Sequence, residues 1–246
     1  VKQGLMQDLF TRGIQPDGRL RPSYDEAPEL YKETRLGFIP KEWNVKKLEE
    51  ITIFIKDGTH GSFSDVDEGV PLLSAKDILD GEVVIQKDCR KISIEDYKVI
   101  HKYYEIKEYD ILLTIVGTIG RVSLVSSITT KFTLQRSVAI IRLDNNSLSK
   151  YIYYFFQHRS FQEQLERNIN ASAQGGVYLG LLNKTIVAYP NDIDELNNIN
   201  NTLITMDNKI KVEQKYLSKL IKIKQALMQD LLTGKVRVKV EGDRDE

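Results

Sequence analysis

An α+β fold is predicted: a strand-rich globular domain followed by a long α-helix that forms an antiparallel coiled coil. Three features of the 246-residue sequence carry that expectation. Short β-branched runs, each closed by glycine or polar turn residues, follow one another between residues 70 and 143. Apolar residues then recur at alternating three- and four-residue steps from Leu196 to Leu231. The two ends of the chain nearly repeat each other.

Those ends run Lys2-Gln3-Gly4-Leu5-Met6-Gln7-Asp8-Leu9-Phe10-Thr11 and Lys224-Gln225-Ala226-Leu227-Met228-Gln229-Asp230-Leu231-Leu232-Thr233, with eight identities in ten ungapped positions. Good helix formers can coincide in short stretches, but an ungapped match of this density reads as a repeat. Residues 1–14 are therefore read as the tail of a preceding helix, and the chain as one period of a two-period protein. Residues 15–34, with Pro16, Asp17-Gly18, Pro22 and Pro28, read as a polar linker.

A globular domain is expected over residues 35–190. A helical turn and a strand are expected between Leu48 and Ile55. Strands are expected at Val70–Leu73, Val83–Ile85, Ile111–Val116, Arg121–Val125 and Ser137–Leu143. An amphipathic helix from Ser149 to Asn168, with Ile152, Phe155, Phe156, Phe161 and Leu165 on one face, closes it. Those aromatic side chains are read as core.

The spacer helix is expected over residues 191–234, with Asp192 or Asp194 as cap and Gly234 as stop. At 1.5 Å per residue it spans about 60 Å. Its seam comprises Leu196, Ile199, Leu203, Met206, Ile210, Leu217, Leu220, Leu227 and Leu231, interrupted by Glu213 and Lys224. Five heptads exceed an ordinary domain helix, so a long antiparallel partner helix is expected rather than packing on the domain alone. Residues 235–246 form a C-terminal tail.

With 41% hydrophobic residues the chain can bury a core, and 35 Lys and Arg balance 35 Asp and Glu. A DNA contact must then be local or shared with partners, because the general basic excess of many nucleic-acid binders is missing. The single Cys89 forms no internal disulfide, no apolar run spans a bilayer, and Val1 opens no signal-peptide layout. A soluble cytoplasmic protein is expected.

Three regions combine glycine, small and polar residues between strands: Lys56 to Phe63, Gly117 to Arg121, and Ser172 to Tyr178. Glycine lets backbone approach a phosphate closely. Within and around these regions, Lys56, Thr59, His60, Lys76, Thr118, Arg121, Gln135, Arg136, Ser172, Gln174, Tyr178 and Lys184 are candidate DNA contacts, able to meet phosphate oxygens or base edges. Gly117 and Gly120 equally suit an ordinary hairpin turn, and Arg136 could pair with a carboxylate.

Enzyme signatures are weak. The run Ile115 to Gly120 lacks the lysine and hydroxyl of a phosphate-binding loop, and His60, His101, His158 and Cys89 have no zinc spacing. Asp96, Glu105 and Lys107 resemble fragments of a metal-dependent nuclease site but sit in a charged stretch that suits solubility. No metal site is expected. A coiled-coil adaptor is the other alternative, though it leaves the polar loops of the domain unexplained.

The run from Asp110 to Arg121 (DILLTIVGTIGR), then Gln135-Arg136-Ser137, then Ser172-Ala173-Gln174-Gly175, then Lys224 to Thr233, in that order, resembles the specificity subunit of type I restriction-modification enzymes. The resemblance implies a non-catalytic subunit. It implies a target-recognition domain that reads half of a split double-stranded DNA site, followed by a spacer helix. It also implies partners: methyltransferase subunits using S-adenosylmethionine, a motor-nuclease subunit using ATP and Mg, and a second half in the parent chain or a second copy. Those cofactors belong to the partners. This chain is nearly half the length typical of the family.

Overall fold

The computed structural model describes residues 1–79, 81–126, 130–170 and 176–236. It divides into two compact units, Val1–Asn200 and Asn201–Glu246.

In chain order the helices and strands are α1 (Lys2–Thr11), β1 (Tyr31–Thr34), β2 (Gly37–Pro40), β3 (Asn44–Lys47), β4 (Phe54–Asp57), β5 (Val70–Leu73), β6 (Ile78–Leu79), β7 (Glu82–Val83) and β8 (Lys91–Ile92). There follow α2 (Ile94–Ile100), β9 (Ile111–Thr114), β10 (Val122–Leu124), β11 (Thr133–Leu134), β12 (Val138–Arg142), α3 (Asn146–Gln157), α4 (Arg159–Asn170), α5 (Leu179–Asn183), β13 (Ile186–Tyr189) and α6 (Ile193–Leu232).

The centre of the first unit is an antiparallel sheet in the order β10-β9-β12-β4. Every residue of β9 and all but the last of β12 are buried, so these strands read as continuous apolar runs rather than alternating ones. Leu112, Val138 and Ile140 join Leu73, Ile78, Ile106, Val125, Phe132 and Leu134 in one apolar cluster. A smaller sheet, β11-β5-β8, pairs β11 parallel to β5. At the sheet's base, buried Asp110 takes a two-pronged ion pair from Arg142, with Nε–Oδ1 and Nη2–Oδ2 both 2.7 Å. Asp110 is thus structural.

A second core is aromatic. Phe10 of α1 meets Tyr151 edge-on at 5.2 Å and Phe155 at 5.6 Å, and Trp43 meets Tyr151 at 6.3 Å. The helix expected from Ser149 to Asn168 is two helices. His158 adopts an extended backbone at the break, which lets Phe161 fold back and stack on Phe156 at 3.8 Å. The His158 ring is 2% exposed; its Nε2 lies 3.0 Å from Gln7 Oε1, and Nδ1 accepts from the Ser160 N–H at 3.4 Å. Burial penalises the charged imidazole and pushes its pKa down to about 4. Of the other expected strands, Val83–Ile85 is replaced by the two-residue strand Glu82–Val83, which shares only Val83 with it. The β1–β2 hairpin straddles the boundary expected at residue 35, because Tyr31 to Thr34 pair directly with Gly37 to Pro40.

Glu195, in the first turn of α6, gathers the start of the chain. Its carboxylate is bonded by both arms of Arg21 (Nη2–Oε2 2.9 Å), by the Ile14 N–H at 3.0 Å and by Trp43 Nε1–H at 3.2 Å. Gly13 (φ +68°) lies so close that a Cβ there would collide with this group.

Helix α6 holds 40 residues, with Asp192 Oδ1 accepting from the Asp194 N–H at 3.0 Å and Gly234 (φ +69°) just beyond its end. The seam is not uniform. Leu196 and Ile199 are buried, and the Asn200 amide donates to the Ser147 carbonyl at 2.9 Å, so the first turns pack within the unit that ends at Asn200; Leu203 is buried as well. Met206 and Ile210 are half-buried, and Leu217, Leu220, Leu227 and Leu231 are exposed.

The matching ends have matching local structure. Thr11 Oγ1 bonds the Gln7 carbonyl at 2.7 Å, and Thr233 Oγ1 bonds the Gln229 carbonyl at 2.7 Å. Their burial differs. Met6, Leu9 and Phe10 are at most 3% exposed, whereas their counterparts Met228, Leu231 and Leu232 are 49%, 45% and 83% exposed.

Candidate functional site

Because β12 runs antiparallel to both β4 and β9, the end of β4, the end of β9 and the start of β12 lie at one end of the sheet. The loops that follow Asp57 and Thr114 and the one that precedes Val138 are thereby brought together. The first is held by Gly58: the Thr59 N–H donates to the Leu134 carbonyl at 2.7 Å, and the Arg136 N–H donates to the Thr59 carbonyl at 3.1 Å. Thr59 and Gln135 form a parallel bridge. A Cβ on Gly58 would run into the carbonyl oxygens of Leu134 and Gln135, so only glycine permits this approach.

Ser137 extends the cluster in two directions. Its Oγ accepts the Ala75 N–H at 3.1 Å, which carries the turn bearing Lys76, and its carbonyl accepts the Ile115 N–H at 2.9 Å. The Ile115 carbonyl in turn accepts the Val177 N–H at 2.9 Å and so positions Tyr178. The turn holding Thr118 has both glycines at positive φ, Gly117 at 81° and Gly120 at 90°. It is closed by the Thr114 and Arg121 backbones, and the Gln162 side-chain amide holds the Gly120 carbonyl at 3.0 Å.

This end of the sheet therefore collects Thr59, His60, Lys76, Thr118, Arg121, Gln135, Arg136 and Tyr178. His60, Lys76, Thr118, Arg136 and Tyr178 are exposed, and Thr59, Arg121 and Gln135 are half-buried. His60 Nε2 lies 2.5 Å from Asp57 Oδ2, which fixes the ring at the rim. Arg136, for which a carboxylate partner was one reading, has no ion pair among the described residues. Chemically the surface offers cations, amide and hydroxyl groups and an aromatic ring on a rigid base, the set that meets phosphates and base edges.

Four of the expected contacts stand apart. The Lys56 ammonium lies 3.7 Å from the Tyr104 ring centre, engaged by that ring rather than held out to solvent. Burial, with Asp57 adding to it, pushes the Tyr104 hydroxyl up to about 12. Ser172 and Gln174 lie outside the described residues. Lys184 sits at the far end of α5 from Tyr178, in a pocket with Arg35 and Arg167. Neither arginine was singled out from the sequence as a contact. With positions 35, 167 and 184 so far apart, no spacing pattern links them.

The nuclease alternative finds no constellation. Asp96 serves as the Ser93 cap partner at 2.8 Å, and Glu105 contributes its carbonyl to Arg142. Among the described residues no group of three or more His, Cys, Asp or Glu could hold a metal ion, and no helix is long and apolar enough to cross a membrane.

The chain thus joins a strand-rich domain, whose loops converge on one polar, cationic end of a sheet, to one long helix. Residues 40–222 match the type I restriction modification DNA specificity domain, and the chain belongs to that family. It is 25% identical over 247 residues to the type I restriction enzyme MjaVIII specificity subunit of Methanocaldococcus jannaschii, a match covering 97% of this chain and 54% of that one. The fold is similar to the HsdS subunit of Thermoanaerobacter tengcongensis (TM-score 0.54, 14% identity, 84% of this chain and 48% of that one). It is also similar to the type I restriction-modification S subunit of M. genitalium (TM-score 0.51, 15% identity, 76% and 45%). The chain spans about half the length of these relatives.

Proposed function

We propose that this chain reads one half of a split double-stranded DNA target as the specificity component of a type I restriction-modification complex, without catalysing a reaction itself. The observation that carries this reading is the convergence of the loops at Gly58, Ser137, Gly117 and Val177 on one end of a buried sheet, in a chain of the specificity family. Residues 35–190 act as the target reader and residues 191–234 as the spacer. Thr59, His60, Lys76, Thr118, Arg121, Gln135, Arg136 and Tyr178 form the reading surface. Arg136 and Gln135 carry the side chains best suited to base edges, since arginine and glutamine bond guanine and adenine in pairs. Ser172 and Gln174 join it as proposed contacts.

The exposed stretch of α6 supports a partner helix, because a lone helix gains nothing from exposing Leu217, Leu220, Leu227 and Leu231. The motif buried at Met6, Leu9 and Phe10 but exposed at Met228, Leu231 and Leu232 points to the same kind of partner. The exposed copy docks on the equivalent surface of a second such domain, in the same parent chain or a second copy. Methyltransferase subunits carrying S-adenosylmethionine, and a motor-nuclease subunit carrying ATP and Mg, complete the complex. Because this chain has zero net charge, they supply much of the phosphate neutralisation.

The test is sequence-selective DNA binding by the complex reconstituted with its methyltransferase subunits. Arg136→Ala should weaken binding to the target by about 1–3 kcal/mol and relax the choice at one base pair. A parent complex that binds target and scrambled duplexes equally would refute the reading.

A further inference from the structure

The pocket that holds Lys184 is separate from the reading surface. It measures about 280 Å³ and brings Arg35, from the turn between β1 and β2, together with Arg167 of α4 and Lys184 at the end of α5. No carboxylate lines it. The acid one turn before Arg167, Glu163, is taken by Arg159 at 2.5 Å, and the Arg167 Nε donates to the Glu163 carbonyl at 3.2 Å. Two of the three neutral polar side chains of the lining, Gln164 and Thr185, are engaged by the protein itself, and Asn168 is the third. Gln164 accepts from the Ile186 N–H at 2.9 Å and donates to the Ile186 carbonyl at 3.0 Å, and Thr185 Oγ1 turns back to the Leu181 carbonyl.

We propose that Arg35, Arg167 and Lys184 form a phosphate-binding pocket that grips the DNA backbone without reading its sequence. Three like charges in one concavity repel one another unless an anion joins them. A phosphodiester oxygen pair suits the planar fork of arginine, with lysine as a point charge. With Gln164 and Thr185 occupied, the three cations dominate the remaining capacity, and the Asn168 amide beside them can donate to the same phosphate oxygens. Charge positions a duplex but does not distinguish bases. In a chain of zero net charge this is the local cationic contact that backbone binding requires. This inference rests on the reading of the chain as a DNA-recognition subunit.

The experiment compares the reconstituted complex with one carrying Arg35→Gln, Arg167→Gln and Lys184→Gln together. It uses a duplex containing the methylation target and a scrambled duplex, titrated across salt concentrations. All three residues are exposed, so the variant should keep the parent's thermal melting. One lost phosphate contact should flatten the slope of log K against log salt by about 0.9, which is about eightfold in affinity near 0.1 M salt. Both duplexes should lose the same factor, so their ratio stays unchanged, and replacing both arginines by lysine should recover most of the slope. An unchanged slope in the triple variant, with the parent still preferring its target, would overturn the pocket while leaving DNA recognition intact. Loss confined to the target duplex would overturn it in favour of base reading, and loss of the methyltransferase subunits without DNA would overturn it in favour of an acidic protein partner. A parent complex that prefers no duplex would remove the underlying reading as well.

Discussion

Replacing Glu195 by alanine should unfasten the start of the chain from the first turn of α6. In the intact protein the Glu195 side chain is 6% exposed and that of Arg21 is 13% exposed, so the ion pair is sheltered from water. Truncation leaves the Ile14 N–H and the Trp43 indole N–H without their acceptor and the Arg21 guanidinium without its counter-charge, holding only the Arg12 and Ile14 carbonyls. Breaking a buried pair from one side costs about 3–5 kcal/mol, most of it the desolvation of the charge left behind. For a chain of this size that lowers the melting temperature by about 6–20 °C, at about 2–4 °C per kcal/mol. Thermal unfolding by circular dichroism measures it. Glu195→Gln should fall between alanine and parent, because its carbonyl still accepts from Ile14 and Trp43 but cannot neutralise Arg21. Arg21→Met combined with Glu195→Met should lose less than Glu195→Met alone, since no charge is then stranded. A Glu195→Ala protein melting within about 2 °C of the parent would refute the reasoning, as exposed pairs contribute only about 0–1 kcal/mol.

Two further outcomes follow from burial. His158, with a pKa near 4 when folded against 6.5 as a free side chain, is neutral in both states above 6.5. Below 6.5 the unfolded chain takes up a proton that the folded one refuses. Stability is then lost as pH falls towards 4, by about 2 kcal/mol between about pH 7 and 5. Urea midpoints at the two pH values should show a smaller difference for His158→Gln, and an equal difference would count against a neutral buried ring. Met228→Ser with Leu231→Ser should weaken docking of the exposed motif about a hundredfold or more, since each apolar side chain contributes about 1.5–3 kcal/mol when buried. Sedimentation of the complex reads this, and unaltered assembly would show that the motif faces water in use.

The eight-in-ten match of the two ends, the seam of α6 and the order of the motifs are local in sequence, and sequence alone sufficed for them. Helix periodicity and caps depend on neighbours within a few residues. Gly234 accordingly marks the stop of α6 by residue type and position, the start was narrowed to Asp192 or Asp194 until the Asp194 N–H bond to Asp192 decided it, and the ordered runs at Asp110, Gln135 and Lys224 suffice to recognise the family. Burial depends on contacts that no spacing encodes. Leu196 and Leu231 occupy the same kind of seam position, yet one is core and the other exposed. Likewise Met6 and Met228 share a motif and differ in burial.

The break at His158 escaped the periodic reading because the apolar spacing continues through it. Only the stacking of Phe161 back on Phe156 shows that the chain reverses. The candidate site divides in the same way. Glycine-flanked loops marked Thr59, Thr118 and Arg136 as polar turns, but it was the antiparallel course of β12 between β4 and β9 that put them at one end of the sheet. That topology also sent Lys184 to a different place from Arg136, beside Arg35 and Arg167. Residue types and short-range order thus determined the family and the long helix α6. The tertiary structure decided which cations face the same space, because that grouping is a property of long-range strand and helix packing.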